Sequence, residues 1–309
     1  MPDLRDMQLL MALAHHRHFA RAAKDCGISQ PAFSARIRNL EKVMGVPIVQ
    51  RGNRFQGFTP EGETMLKWAR RVLADMDEMR QELQVAKHRL SGTLAVGVVP
   101  TALAFVDRVP ALLRARHPGL AIRIFALSTG QIHRGLEDYS LDAGVGYLEG
   151  EMPRALAPAQ LLYEETFVLL APAEIAPRSS GPATWAEAAA LPLCVLTQDM
   201  RNRQFLDRVF EDQVGARPVP VLETNDLLGM LAQVDSGASA TVAPAYLADR
   251  VALSENVVRL PLIEGDVRTP IGLLTLVRDP VPAKLKALTD ALRMPLLKMP
   301  TQLSVSPSE

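Results

Sequence analysis

At 309 residues the chain is too long for one ordinary domain and long enough for two or three, each able to bury its own core. Hydrophobic residues make up 48% and charged residues 22% of the total, a balance that excludes a disordered chain or a fibrous repeat. The formal net charge is zero, yet residues 1 to 90 carry 15 Lys/Arg against 10 Asp/Glu and the remainder carries the opposite excess, so one end is suited to an anionic partner.

The N-terminal stretch MPDLRDMQLLMALAHHRHFARAA lacks an apolar region followed by a small-residue cleavage site, which argues against a signal peptide. No run is long enough to span a bilayer. Cys26 and Cys194 sit far apart without metal or CxxC spacing, so a reducing cytoplasm and no membrane partner are expected.

Leu4, Met7, Leu10, Met11 and Ala14 recur at helical spacing and predict a first helix with one inward face. Phe19, Ala20, Ala22 and Ala23 suggest a short second helix ended by Gly27. Ser29 reads as the N-cap of a third helix, with Pro31 in its first turn, Phe33, Ile37 and Leu40 as its buried stripe and Gly45 as its stop. Helix, tight turn, helix is the arrangement that puts the N-terminal residues of the second member into a major groove. Gln30, Ser34, Arg36 and Arg38 have the chemistry to pair with base edges or phosphates there. Residues 48 to 59 predict two short strands around Gly52-Asn53, a wing with Arg51 and Arg54 at its tip.

The run HFARAAKDCGISQPAFSARIRNLEKVMG, followed by QR and FTPEGETML, resembles the LysR-type transcriptional regulators. The shared marks are Ala22-Ala23, Ser29 to Ala32, Leu40-Glu41 and Thr59 to Gly62; Ile48-Val49 departs from the usual Leu-Phe. The resemblance implies that Gln30, Pro31, Ser34 and Arg36 lie at the groove and Arg51 near the wing's phosphates, while Ser29 is placed toward base edges, with Gln30 and Ser34, by the exposed face of the helix itself. For Pro31 a purely structural role at the helix start competes with that reading.

Residues 60 to 90 contain no internal proline after Pro60 and predict one helix of about 30 residues, roughly 45 Å long. Its apolar stripe, Met65, Trp68 or Ala69, Val72, Met76, Met79 and Leu83, outruns what one small domain covers. The resemblance implies pairing with a second copy, giving a homodimer or homotetramer on promoter DNA, with RNA polymerase as a further candidate partner.

From residue 91 strands and helices alternate as in a parallel α/β sheet: strands at 93–99, 120–127 and 141–147, a helix across 101–116, and then the same pattern repeated less regularly. The segment 268–279 and a closing helix from Pro282 to Leu297 are expected to return to the first lobe. The domain plan is therefore an all-α winged helix-turn-helix over 1–59, a linker helix over 60–90, an α/β effector domain over 91–298 and a flexible tail over 299–309. The resemblance implies two lobes of the periplasmic-binding-protein type, lobe I about 91–164 and 266–298, lobe II about 165–265. A ligand would occupy the cleft between them.

Four polar corners follow predicted strands: Pro100-Thr101; Ser128, Thr129 and Gln131; Thr197 through Arg201, Asn202 and Arg203; and Thr224-Asn225. With Arg201 and Arg203 among them, a small anion or carboxylate is the expected effector, with no cofactor or metal. Plain N-capping is the competing role for each Ser or Thr. The head also resembles the peroxide-sensing branch of the family, which uses a reactive cysteine pair; here Met200 and its neighbours stand where a reactive thiol is expected. Disulfide switching is disfavoured on that ground, and Cys194 reads as a buried small hydrophobe. The sequence shows no Walker loop, dinucleotide fingerprint, nucleophile elbow or HExxH, so no enzyme is expected. A solute-binding protein without DNA function is the alternative, and the basic head weighs against it.

Overall fold

The computed structural model describes residues 1–50, 55–84, 90–177, 181–262, 265 and 267–293. It divides into two units, Met1–Leu90 with Asp138–Ser140, and Ser91–Glu137 with Leu141 onward.

In the first unit α1 and α3 begin on side chains suited to capping, and α3 also ends on a residue suited to stopping a helix. Asp3 caps α1 (Leu4–His16) by accepting from Asp6 N at 2.8 Å, while the Asp6 carboxylate accepts from Asp3 N at 3.0 Å. After α2 (Phe19–Asp25), Ser29 Oγ accepts from Ala32 N at 3.3 Å and starts α3 (Gln30–Met44). Gly45, at φ 74°, closes α3 in a left-handed geometry that a side chain would oppose. Leu9, Leu10, Leu13, Ala22, Ala23, Phe33, Ile37 and Leu40 form the buried seam of the three helices. Burying each large member stabilises the head by roughly 1.5–3 kcal/mol.

Ile48 and Val49 join that core, so their departure from Leu-Phe leaves the wing anchored. The anchor also has a polar half, because Glu41 Oε1 accepts from Ile48 N at 2.8 Å and Val49 N at 3.1 Å. Val49 pairs with Phe58 across the hairpin. Arg51, Arg54 and the expected turn at Gly52-Asn53 lie outside the described residues. Thr59 Oγ1 donates to Pro47 O at 2.6 Å and accepts from Gly62 N at 3.0 Å, opening α4 (Pro60–Gln84). A Cβ on Gly62 would stand 2.1 Å from Ile48 O, which explains the glycine in the Thr-x-x-Gly mark. The end of the expected linker helix, residues 85–89, is outside the description.

The second unit starts with β1 (Ser91–Val98), a 3-10 turn (Pro100–Ala102), α5 (Leu103–Val106), α6 (Val109–Arg116), β2 (Gly119–Ala126), α7 (Thr129–Glu137) and β3 (Ala143–Tyr147). β4 (Leu156–Glu165) leads to β5 (Phe167–Pro172), α8 (Trp185–Ala189), β6 (Cys194–Leu196), α9 (Arg201–Val214) and β7 (Leu222–Thr224). Then come α10 (Leu227–Asp235), β8 (Thr241–Pro244), α11 (Ala245–Ala248), β9 (Val257–Pro261), β10 (Thr269–Leu276) and α12 (Ala283–Leu292). Lobe I is the sheet β2-β1-β3-β10-β4, parallel across its first three strands and antiparallel on both sides of β10. Lobe II joins the antiparallel β8-β5-β9 to the parallel β6-β7 through a bridge from Leu193 to Ala240. Separate cores confirm two lobes: Leu94, Val98, Ile132, Leu136 and Leu273 in the first, Trp185, Phe210, Leu169 and Val242 in the second. The chain crosses between them at β4–β5 and again at β9–β10, as expected of a periplasmic-binding-protein type of architecture.

Three features differ from the sequence expectation. The expected single helix over 101–116 is a 3-10 turn and two short helices, since Pro110 near the start of α6 has no amide proton to continue a helix from upstream. β4 was not anticipated: Pro158 and two register shifts against β10 blur its alternation. Lobe II is mixed rather than parallel, because β5 pairs antiparallel with both of its neighbours.

Candidate DNA interface and effector cleft

The core stripe of α3 leaves its other face to solvent. Ser29, Gln30, Pro31 and Arg38 are exposed and Ser34 is half-buried. Ser29 acts as the cap, with its hydroxyl held by Ala32 N, and Pro31 sits in the first turn where its missing proton costs nothing. Arg38 has no ion-pair partner among the described residues, and exposed Arg17, Arg21, Lys24 and Lys42 add to the positive surface of the head. Arg36 is placed differently from the expectation. Its Nε donates to Asp6 Oδ1 at 2.7 Å and its Nη2 to Asp3 Oδ2 at 2.6 Å, so it straps α3 to the capping box of α1. Those hydrogen bonds raise its pKa despite some desolvation, while Asp3 is lowered first by the Asp6 amide and also by Arg36. His16 likewise pairs with Asp25 at 3.0 Å, and no metal-holding group occurs among the described residues.

In the effector domain, two of the sequence-named residues meet. Thr101 Oγ1 lies 3.0 Å from Tyr147 Oη, and Asn202 Nδ2, from the opposite lobe, donates to the same oxygen at 3.2 Å. Tyr147 in turn donates to Glu165 Oε2 at 2.9 Å. Thr101, Tyr147, Asn202 and Glu165 are all buried, and the last is only 1% exposed. Burial pushes the Glu165 carboxyl up to about 8, with the hydroxyls of Tyr147, Tyr163 and Thr101 pulling it the other way. Tyr147 and Tyr163 are driven well above the ordinary phenol range, by burial first and then by the neighbouring carboxylate. Glu165 Oε1 and the hydroxyls of Tyr163 and Tyr246 are buried without a hydrogen-bond partner of good geometry.

The remaining expected residues do not converge on that point. Pro100 opens the 3-10 turn, and the buried Thr129 hydroxyl has no hydrogen-bond partner among the described residues. Ser128 N donates to Gln131 Oε1 at 2.8 Å, a local turn contact. Thr197 Oγ1 is bound to Asp199 at 2.6 Å, and Asn225 is exposed just before the cap Asp226. Arg201 is half-buried and reaches Glu149 O at 3.4 Å. Arg203 is turned into lobe II, where it donates to Asp207 at 2.7 Å, Glu223 at 2.8 Å and Leu196 O at 2.9 Å. A guanidinium so committed is a structural cation, which corrects the expectation that it faces a ligand. The sequence reading missed Tyr147 and Glu165. Their signal was faint: an acid pair, Glu164-Glu165, just before the apolar run FVLL at the strand crossover. Cys194 is buried with Leu196, Met200 and Met230, and burial raises its thiol. Both cysteines are free.

A winged helix-turn-helix joined by a long helix to a two-lobed α/β domain defines a DNA-binding regulator that carries its own sensor. Residues 4–63 match the model of the bacterial regulatory helix-turn-helix proteins of the lysR family, and residues 87–295 match the LysR substrate binding domain. The chain belongs to the LysR family and is a DNA-binding transcriptional regulator of that type. It is 28% identical over 299 residues to the DNA-binding transcriptional dual regulator OxyR of Escherichia coli K12, covering 94% of this chain and 95% of the relative. To the regulator CfxR of Cupriavidus necator it is 29% identical over 281 residues, covering 90% and 82%. Among solved structures it is similar to a full-length OxyR variant from Pseudomonas aeruginosa, with a TM-score of 0.77, 23% identity and 95% of each chain covered. It is also similar to full-length CbnR complexed with its target DNA, with a TM-score of 0.70, 19% identity and 94% and 99% covered. These two likenesses establish the fold. No helix among the described residues is long and apolar enough to cross a membrane.

Proposed function

We propose that this regulator binds promoter DNA as a dimer of dimers through α3 and the wing, and that a small molecule held between lobes I and II shifts how its heads are presented. The supporting observation is the exposed face of α3, with Gln30 and Arg38 beside a capped N-terminus. Gln suits adenine and Arg suits guanine or phosphate, so these two are assigned direct contact and Ser34 an adjoining one. Ser29, Pro31 and Arg36 shape and hold the helix, and Arg51 and Arg54 would meet the backbone from the wing.

Trp68, Val72, Met79 and Leu83 are exposed at 56%, 37%, 47% and 77% on α4, with half-buried Met76 between them. Such a stripe is best covered by the α4 of a second copy. In the cleft, Thr101, Tyr147, Glu165 and Asn202 supply hydrogen bonds and no spare cation, since Arg203 is engaged within lobe II. An effector read by hydrogen bonds, with Arg201 at the rim, fits better than one bound through two arginines. Selection of ligands from random duplex DNA, followed by anisotropy and mass measurement of the complex, tests the reading. A recovered two-fold symmetric motif bound by an even number of chains is expected; no enrichment, or binding by a lone chain, contradicts it.

A further inference from the structure

A hydrogen-bonded chain crosses the cleft. Asn202 Nδ2 donates to the Tyr147 oxygen and Tyr147 donates to Glu165, while in the contact between Thr101 and Tyr147 either hydroxyl can donate. Asn202 stands on α9 of lobe II, Thr101 and Tyr147 belong to lobe I, and Glu165 ends β4 at the crossover. The contact from Asn202 to Tyr147 therefore exists only while the lobes are together. Its far end is a carboxyl group sealed from solvent, with Oε1 unpartnered.

Among the described residues, those that face Glu165 are neutral at pH 7: Tyr147 from β3, Tyr163 from β4, Thr101 from the 3-10 turn and, behind Tyr147, Asn202 from α9. Tyr246 of α11 adjoins Tyr163, their ring centroids 5.8 Å apart. The cations nearby act elsewhere. Arg250 lies over the Tyr246 ring and pairs with Asp107, and Arg108 acts on Tyr246. Arg268 pairs with Glu164, and Arg201 reaches Glu149 O. An ionised carboxylate here would be a buried charge with no counter-charge, the costliest arrangement a protein interior can hold.

We propose that protonation of Glu165 favours closing of the lobes over it, so that between the open and closed values closing the cleft takes up one proton from solvent. The inference rests on the sensor reading above for its consequence at DNA, but the linkage belongs to the effector domain alone. In this arrangement the carboxyl is pushed up from the ordinary value of 4.5 to about 8, and on the proposal opening the cleft admits water and returns it toward the ordinary value. A carboxyl whose pKa is raised by closing favours the closed form fully below the open value and loses that favour as pH rises toward the closed value. Between those two values the closed-to-open ratio falls about tenfold per pH unit. An effector that binds the closed form best then binds more tightly as pH falls.

Infrared difference titration of the full-length protein reads the proton directly. The wild type is expected to show the carbonyl band of a protonated buried acid at pH 6, lost with a midpoint near pH 8. Glu165→Gln should lack it. Hydrogen exchange at the first turn of α9, corrected for intrinsic rates, should lose protection with rising pH in the wild type and stay flat in Glu165→Gln. Tyr147→Phe is the second variant, for the case in which Glu165→Gln does not fold. It removes a donor to the ionised form, so the midpoint should move to higher pH. Absence of the band at pH 6, a midpoint in the ordinary carboxylate range, or an unshifted midpoint in Tyr147→Phe would overturn the proposal. No DNA or effector enters these measurements. A protein that shows the band but fails to bind selected DNA would retain the proton site and lose the regulatory reading; the converse result would do the reverse.

Discussion

Replacing Arg203 by alanine separates the two roles that a cation at the start of α9 can have. The side chain is 6% exposed, and among the described residues its loss leaves Asp207, 9% exposed, with Arg217 at 3.9 Å as its one remaining ion-pair partner. Glu223 is 42% exposed and recovers water, so the penalty falls on Asp207 and on Leu196 O. Removing one partner of a buried ion pair costs about 3–5 kcal/mol. For a domain of this size, with about 2–4 °C per kcal/mol, Arg203→Ala should lower the effector-domain Tm by roughly 6–20 °C. Calorimetry of the full chain measures it. The paired substitution Arg203→Leu with Asp207→Leu should recover most of the loss, because a well-packed apolar pair is nearly neutral against a buried ion pair. A Tm within about 1 °C of wild type for Arg203→Ala, together with a lost effector response, would refute the structural assignment and return the residue to the cleft.

Gly62→Ala forces a Cβ to 2.1 Å from the backbone of Ile48, so the junction of wing and α4 must shift; a head destabilised by about 2 kcal/mol or more, with the effector-domain transition unchanged, is expected by calorimetry. Val72→Asp with Met79→Asp places two charges on the exposed stripe of α4. Analytical ultracentrifugation should then show monomers at concentrations where the wild type associates, and an unchanged mass would assign the stripe elsewhere. Raising pH from the ordinary carboxyl value of 4.5 toward about 8 should loosen the cleft in the wild type only, as set out for Glu165→Gln.

The head was legible in the sequence because its signals are local. Ser29, Pro31 and Gly45 each act within a turn of themselves, and Phe33, Ile37 and Leu40 share a face by spacing alone. Glu41 and Gly62 could be noticed but not explained, since their partners, the amides and carbonyl around Ile48, come from a folded hairpin. The cleft was harder for the same reason. Tyr147 lies 18 residues from Glu165 and 55 from Asn202, and no periodicity connects them. Arg203 was misread because a charge beside a helix start resembles a ligand cation; its i,i+4 spacing to Asp207 was the available counter-signal. The strap that Arg36 makes to α1 is invisible to local spacing for the same reason, its acidic partners lying 30 and 33 residues upstream.

The central claim is that the exposed face of α3 reads bases. Anisotropy titrations of Gln30→Ala and Arg38→Ala against the DNA motif selected by the wild type, and against single-base variants of it, test that most directly. Loss of about 1–3 kcal/mol per substitution, with discrimination relaxed at one base position each, is the predicted result. Wild-type affinity and an unaltered base preference in both variants would contradict it.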